Sequence, residues 1–269
     1  MKLDRIDTIV TDMDGTLLSA NSELSDYTVQ VMQECKRRGI RLIPASGRTH
    51  ASMHSYLCRL DTGMPYIGGN GAEIIGADHK LIQQLTLEVD LAREICAVMK
   101  EAGFYVQIYG DDAFYYEADC EAANNYKLSS RMRGEAVGDL CRFLNFGTPK
   151  VLSVNDPAEV EKYLPVMSQR FAGRATFTVS EPYFLEAEPI GATKGEALRR
   201  LADMRGDILP ERTLAFGDSL NDLSLLSFTP HSVAMGNARE EHKLAAAFVC
   251  GRNTEDGLAR FVEEHVLRQ

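Results

Sequence analysis

Two aspartates stand one residue apart in Asp12-Met13-Asp14-Gly15-Thr16, just beyond the apolar pair Ile9-Val10. Carboxylates so placed can share a metal ion while performing different tasks. At ~4 Å, two like charges cost roughly 4 kcal/mol at an effective dielectric near 20, so the pair calls for a cation or a proton between them. Asp-rich turns are equally common as structural devices, and D-x-D-G alone leaves the two readings level. A second acidic group, Gly217-Asp218-Ser219-Leu220-Asn221-Asp222, follows the strand-like run Thr213 to Phe216. Asp218 and Asp222 offer hard oxygen ligands of the kind that suit Mg²⁺.

Two further elements could handle an anion. In Ala45-Ser46-Gly47-Arg48 a strand-like run gives way to a helix-like one. The Ser46 hydroxyl and the backbone N–H groups at the following helix start can bind a phosphoryl oxygen. By itself Ser46 is more often a helix cap. Lys194, in Ala192-Thr193-Lys194-Gly195, stands at the start of a helix-periodic segment. A cation is unfavourable there unless it meets an anion.

The elements that must position these residues alternate. Ile6 to Thr11 and Ile40 to Ala45 read as strands, and Ser25 to Arg38 as a helix stopped by Gly39. A helix over Thr49 to Leu60, a strand at Tyr66 to Gly68 and a hairpin-like pair within Glu73 to Gln83 follow. From about Leu85 the texture changes to helices at Asp90 to Ala102, Asp119 to Ser130 and Pro157 to Phe171. Among them lie a hairpin (Phe104 to Tyr109, turn Gly110-Asp111-Asp112, Ala113 to Glu117) and strands at Lys150 to Val154, Arg174 to Ser180 and Tyr183 to Ala187. The alternation then returns with helices Lys194 to Met204 and Leu220 to Ser227, strands Thr213 to Phe216, Ser232 to Met235 and Phe248 to Cys250, and a terminal helix. The expected class is α/β, a Rossmann-like parallel-sheet core (residues 1–84 and 189–269) with an inserted α+β cap (residues 85–188). Ligands of such sheets bind at the carboxyl ends of the strands, where the aspartate motifs fall.

Bulk properties narrow the function. The 269-residue chain is 45% hydrophobic and 25% charged, ordinary values for a globular protein. A net charge of −10 without a dense basic run argues against nucleic acid as partner. The basic triplet Lys36-Arg37-Arg38 suits a helix C-terminus. The start of the chain enters a strand directly and no apolar stretch is long enough for a membrane span, so a cytoplasmic location and no membrane partner are expected. Six cysteines without C-x-x-C spacing read as reduced core residues.

The D-x-D-G-T, S-G-R, lysine and G-D-x-x-N-D elements, in this order, resemble the haloacid-dehalogenase superfamily of phosphotransferases. The likeness spans essentially the whole chain, and the middle block looks like the large α/β cap of the Cof-like subgroup. Met13 stands where that family often has leucine or phenylalanine. The resemblance implies a Mg²⁺-dependent phosphohydrolase. Asp12 would form an aspartyl-phosphate, and Asp14 would act as acid and then base. Ser46, Gly47 and Lys194 would hold the phosphoryl group. Asp12, the Asp14 main-chain carbonyl and Asp218 would bind the metal, with Asn221 and Asp222 shaping its shell. The implied substrates are small phosphate monoesters: sugar phosphates, or phosphorylated cofactors such as pyridoxal phosphate or flavin mononucleotide. A phosphomutase of the same superfamily and a non-catalytic metabolite sensor are the alternatives, and the oligomeric state is left open.

Other residues carry weaker signals. Arg48 either contacts substrate or pairs with a structural carboxylate. Asn70 either contacts substrate, as the resemblance suggests, or tolerates a left-handed turn. His50 and His54, four apart on a helix, lack the glutamate of an H-E-x-x-H site and are expected to be solvated or capping. Phe114, Tyr115 and Tyr116 are expected to pack within the cap.

Overall fold

Ile9 and Val10 lie on neighbouring positions of the strand Thr8–Thr11 and point to opposite faces of one sheet, each fully buried in its own apolar cluster. That two-sided burial explains an apolar run without alternation. The computed structural model, which describes residues 3, 5–110, 113–130 and 132–268, places this strand within a five-stranded sheet. Its order is Phe248–Val249, His231–Ala234, Thr213–Gly217, Thr8–Thr11 and Arg41–Pro44, and every pairing is parallel. The chain runs outward in one direction through Arg41–Pro44 and in the other through His231–Ala234. The switch point therefore lies between Thr8–Thr11 and Thr213–Gly217, whose carboxyl ends carry Asp12 and Asp218.

Local chemistry sets the flanking helices. Ser25 caps Asp26–Arg37 by accepting from the Thr28 N–H at 3.0 Å, and Lys36 and Arg37 occupy the last turn before Gly39. Thr193 caps Lys194–Arg205 in the same way through the Glu196 N–H at 3.2 Å. A bridge from Ala45 to Ile67 links the core sheet to a small antiparallel sheet of Tyr66–Gly68, Glu73–Ile75 and Leu81–Gln84.

The inserted α+β module is a six-stranded sheet ordered Ala175–Thr178, Phe184–Pro189, Val151–Val154, Tyr105–Tyr109, Ala113–Tyr116 and Arg133–Ala136. All its pairings are antiparallel except the last. One face packs under the helices Val89–Glu101 and Pro157–Arg170 to form a separate apolar cluster. Phe114 and Tyr116 are buried, and Tyr115 lies against Phe143 and Phe146, so these aromatics do pack within the module. Of the turn Gly110-Asp111-Asp112, the two aspartates lie outside the described residues. Gly110 donates to the Ala113 carbonyl across it at 2.9 Å.

Several expectations need correction. Arg133–Ala136 is an additional strand whose mainly exposed, non-alternating residues gave no signal. Leu220 to Ser227 starts as a 3₁₀ turn, Leu220–Asp222, and continues directly as the short helix Leu223–Leu226, with Ser219 and Asp222 forming a capping box at its start. Two cysteines, Cys58 and Cys120, are exposed rather than in a core, although all six are free thiols. Ser46 does not cap the following helix, which begins at His50 with Thr49 as its cap residue.

Candidate active site

The turn after Thr8–Thr11 is closed by Leu18 N–H donating to the Met13 carbonyl at 2.8 Å. Within it Gly15 adopts φ 76°, and a Cβ there would stand 2.4 Å from Asp218 Oδ2. Only glycine lets this turn close onto Asp218. Thr16 Oγ1 then donates to Asp218 Oδ1 at 3.0 Å, and Asn237 donates to the Gly15 carbonyl at 2.8 Å. A second close approach is made at Gly71, φ 104°, where a Cβ would lie 2.2 Å from the Thr193 carbonyl oxygen. This contact seats the first turn of Lys194–Arg205 against the loop that leads into the module.

Lys194, buried at that first turn, reaches both Asp12 Oδ1 and Asp222 Oδ1 at 2.6 Å. Its position, unfavourable for the helix dipole, is thus offset by two carboxylates. Asp222 Oδ2 accepts from the N–H groups of Asp218 (3.0 Å) and Ser219 (3.1 Å). Both Asp222 oxygens are therefore engaged, and the side chain braces lysine and loop from behind. Asp12 Oδ2, by contrast, is buried with no partner among the described residues.

Among the described residues, Asp12, Asp218 and Asp222 are the one group of acidic, histidine or cysteine side chains whose ligand atoms gather within 4.8 Å. Three carboxylates face one ammonium. Burial first, then Asp222, pushes the Asp12 carboxyl well above the usual range despite Lys194. Burial and then Asp222 raise Asp218 to about 7. Against burial, Asp12 and Asp222 together hold the Lys194 ammonium protonated well above its ordinary range. With all three carboxylates ionised the cluster is two positive charges short of balance, its donors are all hard oxygens, and one is an orphan. Those features fit a divalent cation such as Mg²⁺.

Asp12 and Asp218 open into a cavity of about 350 Å³ between core and module. Asp14, Gly47, Arg48 and Asn221 line it from the core, and Tyr126, Ser129, Ser130, Glu181 and Tyr183 from the module. Arg48 grips Asp14 with two 2.7 Å hydrogen bonds. Ser46 lies buried beneath, its Oγ accepting from the Arg48 N–H at 3.1 Å.

Asn70 lies behind the cavity wall. It adopts φ 53°, as a left-handed turn requires, and it also ties core to module. Its amide donates to Glu186 and Glu188 while its carbonyl accepts from Asn221 at 2.8 Å. Lys150 completes this buried seam, donating to Glu186 at 2.6 Å and to the Gly47 carbonyl at 3.1 Å.

Thr16, Lys150, Glu181, Glu186 and Asn237 escaped the sequence reading. Glu186 and Glu188 carried a usable signal, since acidic residues alternate there with Leu185 and Ala187 of the module's apolar cluster. A strand whose polar face is also buried, as both glutamates are, faces another part of the protein rather than water.

Comparison with known proteins agrees with this architecture. A phosphatase of 5-amino-6-(5-phospho-D-ribitylamino)uracil from Bacillus subtilis is 29% identical, over 95% of this chain and 96% of that protein. An HMP-PP phosphatase from Serratia proteamaculans is 28% identical, over 96% and 94%. The crystal structure of a haloacid dehalogenase-like hydrolase from Bacteroides thetaiotaomicron superposes with a TM-score of 0.86 at 28% identity, covering 96% of this chain and 98% of that one. The family model described as haloacid dehalogenase-like hydrolase matches residues 9–262, and the chain belongs to that family.

Proposed function

We propose that this protein is a Mg²⁺-dependent phosphatase that hydrolyses small phosphate monoesters through an aspartyl-phosphate on Asp12. The observation that carries the reading is the unpartnered Oδ2 of Asp12, held beside Asp218 by a buried lysine that takes only Oδ1. The core comprises residues 1–84 and 189–269 and the cap residues 85–188.

Asp12 attacks phosphorus as Asp14 gives a proton to the departing oxygen, which leaves as an alcohol. Asp14 next takes a proton from water, whose oxygen attacks phosphorus and breaks the bond to Asp12, releasing inorganic phosphate. Lys194 fixes the Asp12 rotamer, and with Ser46 and Gly47 it stabilises charge on the phosphoryl group. Arg48 must release Asp14 before that carboxyl can meet the leaving oxygen, and an anionic substrate gives the guanidinium its alternative partner. Asp12, Asp218 and the Asp14 main-chain carbonyl would hold Mg²⁺, with Asn221 and Asp222 shaping the shell. Bound there, the ion offsets repulsion between carboxylate and phosphate and polarises a phosphoryl oxygen.

Tyr126, Ser129, Ser130 and Glu181 present hydrogen-bonding groups to the leaving group, which favours a hydroxylated one such as a sugar. The relatives named above act on other phosphorylated small molecules, so a phosphorylated cofactor is the competing class. A screen of phosphorylated metabolites for phosphate release decides between them. Phosphate release without a bisphosphate activator separates hydrolase from mutase, and absence of turnover on every ester tested overturns the reading.

Adding Mg²⁺ is expected to raise Tm by a few degrees in the wild type and to leave Asp218→Asn unmoved. The sign with pH follows from Asp218. Its folded pKa of about 7 lies above the ordinary carboxylate value, so the metal-free fold loses stability as pH rises through about 7. The Mg²⁺ shift should therefore grow from pH 6 to pH 8, because binding must displace that proton. A shift independent of pH would remove Asp218 from the metal site.

A further inference from the structure

Along the strand Tyr105–Tyr109, Val106 and Ile108 enter the apolar cluster beneath the helices, so Tyr105, Gln107 and Tyr109 share the opposite face. That face is not solvated. Gln107 and Tyr109 are buried, and Tyr126 of the helix Glu121–Ser130 packs on the cluster around Tyr109. Buried polar groups must find partners, and these form a chain. The Tyr105 hydroxyl donates to Gln107 Oε1 at 2.9 Å, Gln107 Nε2 donates to the Tyr109 hydroxyl at 2.7 Å, and Tyr109 donates to the Tyr126 hydroxyl at 2.6 Å.

The chain has one direction, because a phenol carries a single hydrogen. The Tyr109 oxygen takes the amide hydrogen, its own hydrogen passes to Tyr126, and the Tyr126 hydrogen cannot return. Tyr126 lines the Asp12 cavity, and its hydroxyl has no acceptor among the described residues. Burial keeps that hydroxyl above the ordinary phenol range, against Lys150 and the hydrogen from Tyr109, so it stays a proton donor. The ring stands edge-on to Phe114 and to Tyr109, at centroid distances of 5.0 and 6.2 Å, which fixes where the oxygen sits. Two serines of the same helix are disposed otherwise. Ser130 Oγ donates to the Tyr126 carbonyl at 2.6 Å and accepts from the Met132 N–H at 3.2 Å, and Ser129 Oγ donates to the same carbonyl at 3.3 Å. Their hydrogens are spent on backbone, which leaves them lone pairs to offer.

Resting on the phosphatase reading, we propose that Tyr126 is a specificity-determining donor of the cap: its hydroxyl gives a hydrogen bond to an oxygen of the leaving group, and the chain from Tyr105 through Gln107 and Tyr109 aims it. The favoured substrates are phosphate esters whose alcohol carries an accepting oxygen, as polyols and sugars do, over esters of plain alkyl alcohols. An ester without that oxygen leaves the Tyr126 hydrogen unpaired against the leaving group. A site built to hydrogen-bond a substrate oxygen discriminates against the analogue that lacks it for this reason. Gln107 and Tyr109 touch no substrate and act as positioning residues, since they decide which way the Tyr126 hydrogen points.

The test measures kcat/KM of the full chain with Mg²⁺ for a hexose 6-phosphate, for glycerol 3-phosphate and for n-propyl phosphate, which differs from the glycerol ester only in lacking its free hydroxyls. Wild type, Tyr126→Phe and Tyr109→Phe are compared, each beside a melting curve. Tyr126→Phe should lower the preference for at least one hydroxylated ester over n-propyl phosphate about tenfold, the size of one hydrogen bond. Tyr109→Phe should erode the same preference by a smaller factor, about threefold, because the Tyr126 hydrogen is no longer aimed. A preference that rises in Tyr109→Phe overturns the proposal, since it would show that the Tyr126 hydrogen had been spent on Tyr109. Equal losses on all three esters in Tyr126→Phe, or no loss on any, overturn it too and leave the phosphatase reading standing. Absence of turnover of every ester by the wild type overturns that reading and this inference with it.

Discussion

Asp12→Asn is expected to lower hydrolysis of p-nitrophenyl phosphate by on the order of 10⁴-fold or more, with the fold intact. The amide keeps the shape of the side chain but cannot form the covalent intermediate. Lys194 retains Asp222 at 2.6 Å, so the buried ammonium is not left unpaired. Asp14→Asn should behave differently, because its loss removes proton transfer rather than the nucleophile. A deficit of roughly 10²–10⁴-fold is expected, larger for an alkyl phosphate than for the nitrophenyl ester, whose phenolate leaves with little help. Rapid quench of Asp14→Asn should also trap a phosphoryl group on Asp12, since the water that releases it is no longer activated. Turnover retained by Asp12→Asn, measured beside a melting curve that proves it folded, would eliminate the covalent route.

Replacing Lys194 with Met should abolish activity and also destabilise the protein by about 3–5 kcal/mol, the usual consequence of removing one partner from a buried ion pair. Asp12 and Asp222, both buried, would then face each other and Asp218 with no cation near. The penalty has a defined pH dependence. The Asp12 carboxyl is already raised by burial and by Asp222, and losing the ammonium raises it further, so the folded state takes up protons more readily than the unfolded chain. Stability lost at pH 8 should therefore return in part as pH falls toward 5. Adding Asp222→Asn to Lys194→Met should recover stability without recovering activity, and denaturant melts of the two single variants and the double variant measure that coupling. Additive effects would mean that the two side chains do not act as one unit.

Much of this was legible along the chain. The apolar runs at Ile9-Val10 and Thr213 to Phe216 marked strands buried on both faces, and position after a strand marked Asp12 and Asp218 as residues at the ligand-binding edge. Lys194 announced itself by standing where a helix start disfavours it. These signals are local: periodicity, a cap, and a charge against a dipole are all carried by residues within one turn or strand.

What the sequence could not divide was labour among like residues. By residue type and spacing alone Asp218 and Asp222 looked equivalent, yet Asp222 spends both oxygens on Lys194 and on backbone N–H groups while Asp218 faces the cavity. Arg48 stood beside Ser46 with nothing to say that it would grip Asp14, 34 positions away. Glu181, Glu186 and Lys150 meet the catalytic loops only because the inserted sheet folds back over them. His50 and His54 read as solvated or capping residues, and nothing along the chain says that a hairpin turn brings His79 beside them or that the Tyr66 oxygen meets the His50 and His79 rings. The sequence determined by itself most of the strands and helices, though not the exposed strand Arg133–Ala136, and which side chains stand at the strand ends. Which of those groups touch, and therefore which carry charge, proton or metal, was decided by contacts between residues tens to hundreds of positions apart, which only tertiary packing creates.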